Sequence, residues 1–459
     1  MIYIGAIIAV QFIILTAYWL YKKYNPQGVL LLTGIMMLTI SLFMGLTSLS
    51  LSEPTGSVTF DLFKTVKETF SGNLVRVGLM IMTIGGYVSY MKHIKASDTL
   101  VYVSMQPLSL LRKYPYLAAC SIVPIGQMLF ICTPSAAGLG LLLSASILPV
   151  LVNLGVTRLT AASVISACTV FDMGPGSANT AKASELAEMN NVFYFVEHQL
   201  LMAIPMTLLL MLLYYFTNRY YDKKDKEKAP VESEPVKMKE NFKAEAPLIY
   251  AVLPVLPLVL LIVFSKYIQL FNPPIDLDTT TAMFASLFVA LAFELIRSRS
   301  LKVVFAGIKA FWDGMGKMFT SVITLIVAAE IFSKGLIGLG FIDALVEGST
   351  HMGLSGAFIG IFITIIIFLA AMLMGSGNAS FFSFGPLIPG IAQKFGMAPV
   401  DMILPMQLSS SMGRATSPIA GVIIAIADVA GVSPMDLAKR NLIPLGGTLL
   451  FMLIYNYAF

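Results

Sequence analysis

The stretch Met372-Leu373-Met374-Gly375-Ser376-Gly377-Asn378-Ala379-Ser380 interrupts an apolar run of membrane length, and Ser409-Ser410-Ser411-Met412-Gly413-Arg414-Ala415-Thr416-Ser417-Pro418 interrupts the next. In hydrocarbon an unsatisfied backbone amide costs several kcal/mol, so non-helical backbone survives at that depth only where it lines a cavity or is buried in protein. The second interruption also carries Arg414, with apolar sequence on both sides. An ionisable residue within a membrane segment marks a functional site by default. A guanidinium stays charged and offers a planar fork of donors that fits a carboxylate. These residues point to half of a transport site for an anionic solute; the competing reading is a structural Arg414 tied to carbonyls of a broken helix.

Composition sets the class. The 459 residues are 57% hydrophobic and 12% charged, with a mean hydropathy of +0.83, which is far from a soluble globular domain. The first span, 2–20, lacks a basic leader and a small-residue cleavage site and is expected to be a retained helix. Cys120, Cys132 and Cys168 lie singly in apolar segments, so they read as buried small residues and not a disulfide framework. The formal charge of +5 comes from loops between spans, which makes a nucleic-acid partner unnecessary. His93, His198 and His351 have no Cys or carboxylate at metal-ligand spacing, and no nucleophile motif or phosphate loop is present. An enzyme and a zinc protein are therefore disfavoured.

Windows of roughly 20 apolar residues, the length that crosses a bilayer as a helix, fall at 2–20, 28–47, 73–91, 193–217, 246–265, 279–296, 316–335 and 441–458. Two blocks, 115–190 and 356–432, are hydrophobic but broken by Gly, Pro, Ser, Thr and Asn. Each reads as a re-entrant hairpin followed by a broken helix. In the first, limbs at 117–131 and 138–152 flank the tip Cys132-Thr133-Pro134-Ser135-Ala136-Ala137, and a helix over 158–171 unwinds at Asp172-Met173-Gly174-Pro175-Gly176-Ser177 and resumes over 178–188. In the second, the limbs are 357–374 and 381–395, and the broken helix is 400–411 plus 419–429. The segment 58–70, apolar at Phe60, Phe63, Val66 and Phe70 against Lys64, Lys67 and Glu68, suits an amphipathic helix on the outer surface.

The blocks repeat. Pro149 against Pro389 gives an offset of 389 − 149 = 240, Gly174 against Gly413 gives 413 − 174 = 239, and Asn25-Pro26 against Asn272-Pro273 gives 272 − 25 = 247. The charged stretch 219–246 reads as a solvated linker between halves. Lys and Arg accumulate in cytoplasmic loops. With Arg414 set aside, an external N-terminus places 22 of them inside and 7 outside. The expected fold is thus an all-α polytopic membrane protein of two inverted repeats, each with five transmembrane spans (one broken) plus a re-entrant hairpin, and with both termini on the periplasmic side. The first repeat covers 1–218 (scaffold spans 1–92, transport elements 115–217), the linker 219–246, and the second repeat 247–459 (scaffold spans 247–335, transport elements 356–458). Odd span counts per half invert the second half, the layout of many secondary transporters whose sites lie between discontinuous helices.

The order of spans and three elements, Thr133-Pro134-Ser135-Ala136-Ala137-Gly138-Leu139-Gly140, Gly375-Ser376-Gly377-Asn378-Ala379 and Gly413-Arg414-Ala415-Thr416-Ser417-Pro418, resemble the anaerobic C4-dicarboxylate carrier family of the DcuC type. The likeness covers nearly the whole chain. It implies a bacterial inner-membrane carrier that exports succinate and exchanges or takes up fumarate and malate during anaerobic growth, by symport or antiport. It also implies membership of an ion transporter superfamily of elevator-type homodimers, in which a transport domain moves against a scaffold. The partners implied are a small dicarboxylate, membrane lipid and a second copy of the chain. Asp172 and Glu330 depart from the family pattern, which has apolar or small residues there.

A dicarboxylate has two charged ends, and an inverted pair of breaks offers two donor sets. One consists of Ser376, Gly377, Asn378, Ser411, Arg414, Thr416 and Ser417, and the other of Thr133, Ser135, Ser177, Asn179 and Thr180. Helix N-termini near Gly138, Ala178, Phe381 and Ile419 would add positive dipole ends. Asp172 is expected either to cap the resuming helix or to carry a proton or cation. Glu330 is expected to reach the membrane interface or pair with a buried partner, or else to titrate during transport. No cofactor is expected beyond a coupling ion, H+ or Na+, the latter at the hairpin tips on unwound carbonyls. The alternatives are an amino-acid or other organic-anion carrier of the same superfamily and, from a different class, an ion channel.

Overall fold

The computed structural model describes residues 2–49, 51–106, 114–228, 244–265, 268, 271, 275 and 277–458. Among them there are helices and no strand, and ten helices are long and apolar enough to cross a membrane. Asn272-Pro273 and residues 229–243 of the expected linker lie outside the described residues.

The first half runs α1 (Ile2–Tyr21), α2 (Pro26–Phe43), α3 (Val58–His93), α4 (Ala96–Met105), α5 (Pro115–Cys132), α6 (Ala136–Asn153), α7 (Arg158–Ala167), α8 (Ala178–Leu186) and α9 (Asn191–Lys224). The second runs α10 (Leu248–Val263), α11 (Thr279–Ser298), α12 (Leu301–Gly338), α13 (Phe341–His351), α14 (Gly356–Met374), α15 (Gly377–Phe384), α16 (Ile388–Lys394), α17 (Pro399–Ala415), α18 (Gly421–Ala430) and α19 (Pro434–Ala458). Helix starts follow local chemistry. Asn25 accepts the Gly28 amide at 2.9 Å with Pro26 in the first turn of α2, and Asp278 accepts the Thr280 and Thr281 amides at the head of α11.

Three expectations about backbone need correction. The segment 58–70 is no separate surface helix: α3 is continuous from Val58 to His93, because nothing between Phe70 and Leu74 stops the helix and a π-helical turn at Leu74–Gly78 absorbs the local misfit. A second π-helical turn, Phe319–Ile323, sits in α12. The break expected from Ser409 is shorter, since α17 stays helical through Ala415. There the Ser409 and Ser410 hydroxyls donate to the Met406 and Gln407 carbonyls, so these serines are satisfied within the helix. Finally, the helix after Gly375 resumes at Gly377 rather than Phe381, because Ser376 caps it by accepting the Ala379 amide at 3.2 Å.

The two halves interlock. α12 packs on α2 and α3, and α11 also packs on α3. Their approach is close: a Cβ added to Gly34 of α2 would stand 2.6 Å from the Phe332 amide nitrogen of α12, which is the small-residue packing that helices in lipid rely on. The interrupted helices pack among themselves, α18 on α6 and α7, α17 on α8, α14 and α15, and α19 on α9. Their contacts build the core around Leu143, Ile165, Phe381, Leu408 and Ile426. The three cysteines are free, with Cys120 and Cys168 buried and Cys132 half-buried.

Candidate functional site

Four interruptions meet in one chain of contacts. At the first tip, between α5 and α6, Ile131 and Pro134 lie against the first break: a Cβ on Gly176 would stand 3.5 Å from the Ile131 carbonyl oxygen and 3.8 Å from Pro134 Cγ. Gly174 there has φ +99°, a conformation that favours glycine. The first break touches the second through Arg414, whose Nη2 donates to the Thr169 carbonyl at 2.8 Å and whose Nη1 lies 3.8 Å from Asp172 Oδ2. The second break touches the second tip, since a Cβ on Gly377 would stand 2.9 Å from the Ser410 carbonyl oxygen and one on Gly375 3.1 Å from the Ala420 nitrogen.

The expected site residues fall into two groups. Several are occupied by their own backbone. Ser135 accepts the Gly138 amide, Ser177 accepts those of Asn179 and Thr180, and Ser376 that of Ala379. Thr133 donates to the Leu129 carbonyl and Thr416 to that of Gly413. Thr180 exchanges hydrogen bonds with Gln199 and accepts from Gln407. Asn378 lies half-buried in the first turn of α15. The other group is buried and unpartnered. Ser411 Oγ, Ser417 Oγ, Arg414 Nε and Asn179 Oδ1 have no hydrogen-bond partner among the described residues.

Helix ends sharpen this division. α6, α8 and α15 each start on a serine that accepts a backbone amide. α18, the fourth resuming helix, starts on Ala420 with no side-chain cap. Its first amides are therefore left for something else; the Ala420 amide before them donates to the Ser417 carbonyl at 3.3 Å, and the Ser417 amide to that of Arg414 at 3.2 Å.

Asp172 does not cap α8 itself. It accepts from the capping Ser177 hydroxyl at 2.6 Å and from Asn179 Nδ2 at 3.0 Å, and it supplies the carboxylate nearest Arg414. Sequence reasoning missed the amide side chains that join the two breaks. Gln407 donates to the Asp172 carbonyl at 2.9 Å, Gln199 Nε2 and Tyr194 Oη donate to Gln407 Oε1 at 2.9 Å, and the Gly174 amide donates to Gln199 Oε1 at 3.0 Å. Single glutamines within apolar runs were the available signal, since buried polar side chains in membrane helices face the bundle interior.

Glu330 lies elsewhere, in an ion-pair network that reaches from α3 and α12 to α8. It accepts from Asn73 at 2.8 Å, pairs with Arg76 at 3.2 Å and Lys334 at 3.6 Å, and lies 3.9 Å from Lys182. Lys182 and Arg76 also pair with Glu185, at 2.5 and 3.1 Å. The buried partner expected for Glu330 is thus present in Lys182, which is 1% exposed.

Comparisons with known proteins bear on the family and the fold. The family model described as C4-dicarboxylate anaerobic carrier matches residues 4–458. The chain is 32% identical to the anaerobic C4-dicarboxylate transporter DcuC of Escherichia coli over 443 residues, 96% of this chain and 94% of that one. It is 32% identical to the probable anaerobic C4-dicarboxylate transporter DcuC of Vibrio cholerae over 429 residues, 93% and 92% of the two chains. Among solved structures, MtrF of Neisseria gonorrhoeae superposes with a TM-score of 0.64 at 14% identity, covering 96% of each chain. The YdaH transporter of Alcanivorax borkumensis gives 0.63 at 14% identity, covering 94% of this chain and 98% of that one. A match to the family model from residue 4 to residue 458 shows that the chain belongs to the C4-dicarboxylate anaerobic carrier family, DcuC.

Proposed function

We propose that the protein is a secondary active transporter of C4-dicarboxylates such as succinate, fumarate and malate, working by alternating access in a bacterial inner membrane. The observation that carries this reading is that Ser411 Oγ, Ser417 Oγ and Arg414 Nε are buried and unpartnered in the stretch that leads into the uncapped start of α18. Buried polar atoms are nearly always hydrogen-bonded, and a helix N-terminus with a guanidinium beside it is an anion site. One carboxylate of the substrate fits this cluster. The other end of the molecule faces the first break, where the Asn179 amide nitrogen gives one hydrogen to Asp172 at 3.0 Å and keeps a second for a carboxylate, and Ser177 and Thr180 hold the frame.

Asp172 supplies the charge logic. It lies 3.8 Å from Arg414, so a carboxylate arriving on the guanidinium competes with it for one cation, and the extra negative charge is what a coupling cation would balance. We assign Asp172 to coupling by H+ or Na+, with a pH gradient as the first test, and Glu330 to the ion-pair network instead.

The interlocked halves fit two inverted repeats with a moving unit of α5–α9 and α14–α19 on a scaffold of α1–α4 and α10–α13, probed below by cross-linking. The same scheme includes a homodimer and external termini. Counterflow in proteoliposomes tests the assignment. Labelled succinate should accumulate against internal fumarate or malate, saturably and without a membrane potential. Exchange of an amino acid in place of dicarboxylates would select the organic-anion alternative, and non-saturable flux would select a channel.

A further inference from the structure

A cavity of about 410 Å³ lies apart from the cluster around Arg414, between the end of α3, the start of α4, the first tip and α12. Its polar lining is Ser89, Lys92, Ser97, Asp98, Thr133, Ser135 and Lys317, and its apolar wall includes Ile84, Leu139 and Met318. Three features make it a built site. Lys92 and Lys317 come from different long helices, and neither ammonium has a carboxylate within ion-pair distance among the described residues. The one carboxylate in the lining, Asp98, shares Lys95 with Glu245, at 3.4 and 3.3 Å, and the two exposed lysines outnumber it in the lining. Ser97 is 7% exposed, and its hydroxyl has no partner among the described residues.

We propose that this cavity is a second dicarboxylate-binding station, on the approach to the first tip. It rests on the dicarboxylate reading above and extends it to Lys92, Lys317 and Ser97. The two ammonium groups hold one carboxylate and Ser97 donates to it. The four-carbon body lies along the apolar wall, and the second carboxylate reaches the tip, where α6 presents its N-terminal end. The space falls within the range of small-molecule sites. Two unpaired cations in a cleft also concentrate anions by focusing the field, an effect that weakens as salt rises. A solute handed from here to the central cluster passes from the cavity lysines to a buried guanidinium, so the station loads the carrier from the face on which the cavity opens.

The test uses thiol labelling, which needs no transport. Ser89→Cys, in full-length protein with the three native cysteines replaced by serine or alanine, places a reactive group on the cavity wall. Succinate should slow its reaction with a maleimide, and butyrate, with the same carbon count and one carboxylate, should not. In the Lys92→Gln/Lys317→Gln background the protection, read as the ratio of labelling rates with and without succinate, should be lost, and Lys92→Arg/Lys317→Arg should restore it. Unchanged labelling with succinate, equal protection by butyrate, or protection that survives the double glutamine change would overturn the proposal. Lysine-dependent protection in a protein that fails counterflow would sustain the station and refute the transport reading; normal counterflow without protection would do the reverse.

Discussion

Arg414 Nη2 donates to the Thr169 carbonyl at 2.8 Å, across 245 residues of sequence. The carbonyl is one that the first broken helix leaves open after Ala167, and the cation that satisfies it is the last-turn arginine of the second broken helix. Each break therefore supplies what the other lacks. Nη2 is occupied and Nη1 faces Asp172, while Nε remains for a guest.

Replacing Asp172 with Asn should separate exchange from coupling. Asn keeps the shape and can still accept from Ser177 or Asn179, but it cannot carry the charge that a coupling ion neutralises. Asp172→Asn is expected to keep succinate/fumarate counterflow near normal and to lower proton-driven accumulation by about tenfold or more, within the usual range of coupling between sites. Uptake measured with and without an imposed pH gradient decides it, and an unchanged response to the gradient would remove Asp172 from coupling.

The ion pairs between α8 and the α3/α12 pair must part if the interrupted helices move as a unit. Arg76→Cys/Glu185→Cys, at positions whose native side chains meet tip to tip at 3.1 Å, should be joined in a cysteine-free background by a reducible bifunctional thiol reagent long enough to replace the two lost side chains. The cross-linked protein should lose counterflow, and a reductant should restore it. Full activity with the cross-link complete would show that α8 stays fixed on α3 through the cycle.

Within that network, burial ranks the lysines. Lys182→Met removes the most buried cation, but Glu330 keeps Arg76 and Lys334, and Glu185 keeps Arg76, so it should destabilise the protein by about 1–3 kcal/mol, the cost of lost hydrogen bonds to buried groups. Lys334, 40% exposed, should contribute about 1 kcal/mol or less when changed to Met. Thermal unfolding in detergent compares them, and equal midpoints would contradict the ranking.

Two glycines on the second broken helix offer a paired packing test. A Cβ on Gly413 would stand 2.2 Å from the Phe368 carbonyl oxygen, whereas one on Gly421 meets nothing within 4 Å. Gly413→Ala should cost about 1–3 kcal/mol by forcing α14 and α17 apart, and Gly421→Ala should leave stability unchanged or slightly improved, since alanine is the better helix former. Melting temperatures of the two variants give the comparison.

Sequence made the spans legible because apolar length alone decides whether a helix crosses lipid. The breaks at Gly174-Pro175-Gly176 and Gly375 were legible because proline and glycine remove a donor or adopt φ that other residues avoid. The extent of the second break was not, since Ser409 to Gly413 look like a loop by composition yet remain helical by returning hydroxyls to their own carbonyls. Ser135, Ser177 and Ser376 looked like ligands because capping and ligand binding use the same hydroxyl. Gln199 and Gln407 went unnoticed because each is a lone polar residue whose partners lie far along the chain, and Lys182 because its burial against Asn73 and Glu330 appears only on packing.

The central claim is that Arg414 and the groups beside it bind a carboxylate of the substrate. It is tested most directly by succinate counterflow through Arg414→Ala in proteoliposomes, with the amount of folded, inserted protein measured in the same preparation. Counterflow should be abolished while insertion and folding are retained. Near-normal counterflow through Arg414→Ala would contradict the account.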